Sequence, residues 1–132
     1  MAKLTPEIKG FIAGKMAWVG TADKDGVPNL APKGTLKVLD DEHLVFADLF
    51  SLKTRAALEQ NPKVAVAVLD KMTGYQIKGT AELATSGPVF EQVAKGVKEA
   101  MPDLPGPKYA VKIAVEAVYS LDPGPNAGKR LI

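Results

Sequence analysis

Apolar and polar positions alternate along the chain with a period that switches between helical and extended, and each switch marks an element. Near the start, TPEIKGFIAG places Ile8, Phe11 and Ile12 at i, i+3 and i+4, behind Thr5 as a candidate N-cap and Pro6 at the first helical position. A short amphipathic helix ending near Gly14 is predicted. MAWVGTA then reads as a strand, with Trp18 expected in the core. Asp25-Gly26 reads as a turn and VPNLAPKG as the return arm of a hairpin. Pro28 and Pro32 cannot donate to a ladder, so this arm is expected to be irregular or an edge. TLKVL and HLVFADL flank the turn DDE as a second hairpin.

The stretch DLFSLKTRAALEQNP carries the most informative change of period. An apolar strand runs straight into Ser51, Lys53 and Thr54, and Ala56, Ala57 and Leu58 then favour helix. Two readings stand here. Ser51 is a side-chain cap for an ordinary surface helix. Alternatively, the free amides of the first turn, with the hydroxyls of Ser51 and Thr54 and the charge of Lys53, form a corner for a phosphate. Arg55 lies four residues before Glu59 and reads as a surface ion-pair partner.

Asn61-Pro62 stops this helix, and VAVAVLD follows with apolar residues on both faces of the implied strand. Two-sided burial needs two covers, so a homodimer is expected, with residues 64–69 at or near the contact. YQIKGTAELAT reads as a long alternating strand. SGPVFEQVAKGVKEAM reads as a helix opened by Ser86 and Pro88, and YAVKIAVEAVYSL as a final strand whose alternation slips at Val118 and Tyr119, as at a bulge. The tail DPGPNAGKRLI is rich in Gly and Pro, and a frayed end is the ordinary expectation for it.

Six or seven strands at short spacing with three covering helices imply a mainly β protein with short helices, built as an antiparallel barrel. The 132 residues fit one domain, 1–132. Composition removes several chemistries. There is no cysteine, hence no disulfide, thiolate metal site or cysteine nucleophile, and the one histidine, His43, sits in a polar turn. Net charge is +2 with both signs interspersed, so the long basic face of a nucleic-acid binder is not expected, Lys129 and Arg130 in the tail being too few. No run is long and apolar enough to span a bilayer and the start lacks a signal-peptide core, which makes a cytoplasmic location the expectation.

The ordered set APKGTLKVL, LVFADLFSLKTRAALEQNPKVAVAVLD and GYQIKGTAEL resembles the pyridoxamine 5′-phosphate oxidase-like family of FMN-binding split barrels, and within it the small FMN-binding proteins. The resemblance spans nearly the whole chain. It implies FMN as cofactor, lying at a homodimer interface. Carried over, Ser51, Lys53 and Thr54 would take the phosphate, and Pro32, Lys33 and Gly34 would lie along the ring or ribityl chain. Asp48 and Leu49 would border the pocket, with Tyr75 and Gln76 reaching the ring from the partner and the C-terminal tail covering it. Leu52 stands in the same corner where oxidases of the family often have an arginine. The C-terminal segment lacks the extra basic and histidine residues that bind the vitamin substrate of the true oxidases, so oxidation of pyridoxamine phosphate is not implied.

The resulting expectation is an FMN-dependent oxidoreductase or electron carrier in which the flavin supplies the redox chemistry, since no side chain reads as a dedicated acid or base. Its electron donor, nicotinamide or protein, is not written in the chain. Three alternatives stand beside it: a flavin-binding or storage module without turnover, a split barrel holding a deazaflavin or haem, and an interaction domain.

Overall fold

A computed structural model describes residues 2–132. Helix α1 (Pro6–Ile12) opens the fold, with the Thr5 hydroxyl accepting from the Ile8 amide at 3.2 Å and Gly14 leaving at φ 74°. Its cap and its left-handed exit are those the sequence specifies. Strands β1 (Ala17–Ala22) and β2 (Pro28–Lys33) form the first hairpin, and β3 (Lys37–Asp40) and β4 (His43–Asp48) the second. Helix α2 (Leu52–Gln60) leads to β5 (Lys63–Asp70) and β6 (Thr73–Ala84), then helix α3 (Pro88–Ala100) and β7 (Tyr109–Ser120).

All strand pairs are antiparallel, in one seven-stranded sheet of order β2-β1-β5-β6-β7-β4-β3. Its two edge strands, β2 and β3, are joined by residues 34–36 alone. Laid flat, seven strands would hold those edges about 29 Å apart, whereas four Cα steps reach only about 14 Å. The sheet must curl until its edges meet. The Thr35 hydroxyl seals the seam, accepting from the Ala47 amide at 3.0 Å and lying 3.4 Å from the Ala47 carbonyl.

The curled sheet encloses Val19, Phe46, Val66, Ile77 and Ile113, with Ile8 and Ile12 of α1 plugging one side. Burying each such side chain contributes about 1.5–3 kcal/mol over leaving it in water. A second, smaller core lies outside the barrel, where Val93 and Val97 of α3 cover Val45, Ala47 and Ala110. The strand buried on both faces within one chain is therefore β4. On β5 only Val64, Val66 and Val68 are buried, and Ala65 and Ala67 stay partly open.

Three expectations need correction here. Trp18 is 44% exposed, because Ala17 and Val19 take the inward positions of β1 and a pleat sends their neighbour out. The bulge in β7 falls at Glu116, opposite the step from Lys78 to Gly79, rather than at Val118 and Tyr119. There the strands approach so closely that a Cβ on Gly79 would lie 2.3 Å from the Ala114 carbonyl oxygen, so only glycine fits. The tail is not frayed: the amides of Ser120 and Leu131 donate to the carbonyls of Lys129 and Val118 at 2.9 and 2.7 Å, and Arg130 bridges Tyr119.

A cleft at the barrel seam

The end of β2, the seam residues, the end of β4 and the first turn of α2 enclose a cleft of about 500 Å3. Pro32, Lys33 and Gly34 form one wall, and Leu49, Ser51, Leu52, Lys53 and Thr54 the other. Eight of the nine residues singled out in the sequence thus meet in one cavity. Asp48 is the exception. It is 4% exposed and lies beneath the corner, its carboxylate accepting the Ser51 amide at 2.9 Å.

That bond changes the role read for Ser51. Its side chain makes no cap hydrogen bond to α2; Asp48 holds the turn instead, and the Ser51 hydroxyl accepts from the Lys33 ammonium. The first-turn amides of α2 are left without a side-chain acceptor, beside the exposed Lys53, which forms no salt bridge among the described residues. Thr54 is buried, its hydroxyl accepting from the Asn29 amide group at 3.1 Å, which orients it toward the cleft floor.

Lys33 is buried although β2 is an edge strand. It is 8% exposed, with its ammonium 5.7 Å from the centroid of the Phe46 ring. Burial holds its pKa below the ordinary lysine range, and the Asp48 carboxylate partly offsets this. The cleft therefore offers two cationic points, one exposed at the helix corner and one buried against the apolar wall. An anion with an apolar ring fits this arrangement, the ring against Ala31, Pro32 and Leu49.

Thr35, Asn29 and Phe50 belong to the site but escaped the sequence reading. For Asn29 the signal was a polar residue in phase with inward positions of an edge strand. Arg55 pairs with Glu59 at 3.7 Å, as its spacing suggests, and also lies 5.1 Å over the Tyr109 ring. His43 is bound to Asp40 at 2.8 Å, at the opposite end of β4 from the cleft. Tyr75 packs edge-on against Phe11 at 5.1 Å between centroids.

The model of the pyridoxamine 5′-phosphate oxidase family matches residues 4–122. The chain belongs to this pyridoxamine 5′-phosphate oxidase-like, FMN-binding split-barrel family. Within the curated proteins, the chain is 42% identical over 135 residues to MJ0282, an uncharacterised protein of Methanocaldococcus jannaschii, covering 98% of this chain and 88% of that one. Among solved structures, HupZ of Group A Streptococcus superposes with a TM-score of 0.83 at 33% identity, covering 95% and 99% of the two chains. An FMN-binding protein of Syntrophomonas wolfei shares the fold at a TM-score of 0.75 and 16% identity, covering 90% and 84%. The fold also recurs in an F420 reductase (TM-score 0.66, 15% identity, covering 87% and 98%) and in HutZ, the haem storage protein of Vibrio cholerae (0.67, 19%, 89% and 94%). No helix among the described residues is long and apolar enough to cross a membrane.

Proposed function

We propose that this protein binds FMN in the seam cleft, as a homodimer, and serves as an FMN-dependent oxidoreductase or electron carrier. The observation that carries this reading is the two-ended chemistry of one cavity, an anion corner at α2 and a buried ammonium on an apolar wall. Bound FMN would supply hydride or single-electron transfer, which no side chain here provides. Lys53, the first-turn amides of α2 and the Ser51 hydroxyl would hold the phosphate, a group of charge about −1.5 to −2 at neutral pH. Lys33 would place a positive charge beside the ring, where low dielectric strengthens it and favours an anionic ring over a neutral one.

Micromolar affinity corresponds to about −8.2 kcal/mol, more than the phosphate contacts can supply, so the ring must also be dried on its open side. The outer face next to the cleft supports a second subunit there. Trp18 pairs with Pro32 and Ala67, and Gly20 with Leu30 and Ala65, so these side chains share one face, on which Leu30 is 67% exposed. A contiguous apolar face of this kind is what a dimer contact buries.

Haem suits the cleft poorly, since its lining contains no histidine, cysteine or tyrosine to ligate iron. The direct test is the absorption spectrum of the purified protein, followed by titration with FMN and mass spectrometry of whatever is extracted. A colourless protein that takes up neither FMN nor a deazaflavin overturns the proposal. Reduction of the bound flavin by NAD(P)H, and its reoxidation by an added acceptor, separates an oxidoreductase from a storage module.

A further inference from the structure

A second cavity, of about 520 Å3, lies between α3 and the segment 34–37. It shares Gly34, Thr35, Leu49 and Phe50 with the seam cleft, so the two adjoin, with Phe50, 73% exposed, on the lining of both. Its walls are apolar, with Val93 and Val97 on α3 and Met101 and Leu104 just past its end, and its single charged lining residue is Lys37. Glycine is a poor choice inside a helix, yet Gly96 faces this space. A Cβ there would lie 3.1 Å from the Lys37 ammonium nitrogen. That ammonium thus lies directly over the helix at its glycine. Lys37 forms no salt bridge among the described residues, and no carboxylate lines the cavity.

We propose that this cavity binds a small organic molecule with an apolar body and one carboxylate, its charge paired with Lys37 and its hydrocarbon against α3. Lys37, exposed at the rim, is the one charge on this lining, so one negative charge finds a partner there and the second charge of a dianion such as a phosphate monoester finds none. The volume suits a ligand of this class. The bound molecule abuts Phe50 and reaches the mouth of the seam cleft. Its role as the reaction partner of a flavin rests on the function proposed above, whereas its binding does not require the flavin.

The experiment titrates octanoate and 1-octanol into the full-length protein, with and without FMN, by calorimetry and by amide chemical shifts. Octanoate is expected to bind about two- to fivefold tighter than octanol, as one contact to an exposed ammonium requires, with shifts concentrated at residues 93–101. Lys37→Met should abolish the octanoate advantage while octanol binding persists. Gly96→Leu should weaken both ligands and leave the FMN titration unchanged. Equal affinity for the two probes, a Lys37→Met variant that still prefers octanoate, or shifts centred elsewhere would each overturn the assignment. If FMN fails to bind while the Lys37-dependent preference persists, the flavin reading falls and this site stands. If FMN binds and no preference is seen, the reverse holds.

Discussion

Replacing Lys53 by alanine removes the exposed cation of the α2 corner and nothing that the fold depends on. The side chain is exposed and forms no salt bridge among the described residues, so stability should move by no more than about 0.5 kcal/mol. Affinity should respond differently. A hydrogen bond to a charged group contributes about 1.5–3 kcal/mol, and solvent screening at this exposed site favours the lower end. Since about 1.4 kcal/mol is a factor of ten in Kd, the FMN dissociation constant should rise roughly tenfold. The first-turn amides belong to the backbone and survive the substitution, so binding is weakened and not abolished. The informative assay pairs FMN with riboflavin, which has the same ring without the phosphate. Fluorescence titration of both into the parent and the variant isolates the phosphate contact, and the loss should be confined to FMN and shrink as salt is raised. Equal weakening of FMN and riboflavin, or no change for FMN, would refute the placement of the phosphate at this corner.

Leu30→Asp puts a charge into the exposed apolar face and should yield a folded monomer with much weaker flavin binding, read by sedimentation and titration together; a dimer unaffected by the change counts against the proposed contact. Gly79→Ala should destabilise the fold by at least about 1–3 kcal/mol, the usual cost of overpacking, because the new methyl meets backbone rather than a movable side chain; thermal unfolding measures it. Burial lowers the Lys33 pKa, so between its folded value and the ordinary lysine value near 10.4 the unfolded chain binds more protons and stability rises with pH. Lys33→Met should remove that alkaline rise in denaturant titrations run at successive pH values.

Local chemistry made much of the fold legible. Thr5 with Pro6, Asp25-Gly26 and Asn61-Pro62 each act within a few residues, and each turns or stops the chain where its own chemistry dictates. The meeting of the seam with the α2 corner was legible only through the family resemblance, because residues 32–34 end the first hairpin while 51–54 open α2, beyond the second. What stayed hidden depended on partners distant in sequence. Lys33 looks like a surface lysine until Phe46 and Ser51 close over it. Ser51 looks like a cap until the Asp48 carboxylate takes the turn amide. The phase of β1 could not be fixed locally, since Ala17, Trp18 and Val19 are all apolar and either face could have turned inward. The bulge was displaced for a related reason. The slip in alternation shows at Val118, but the extra residue is accommodated where Gly79 lets the strands approach.

The short link across the barrel seam has a consequence for how occupancy and folding are tied. Residues 34–36 shut the cylinder, and Gly34 and Thr35 among them wall the cleft, so prying the edge strands apart dismantles the pocket in the same motion. An anion seated there would act as a stitch across the closure. Saturating the protein with such a ligand should slow hydrogen exchange first in β2 and β3, the two strands paired on one side only, and only afterwards in the interior of the sheet.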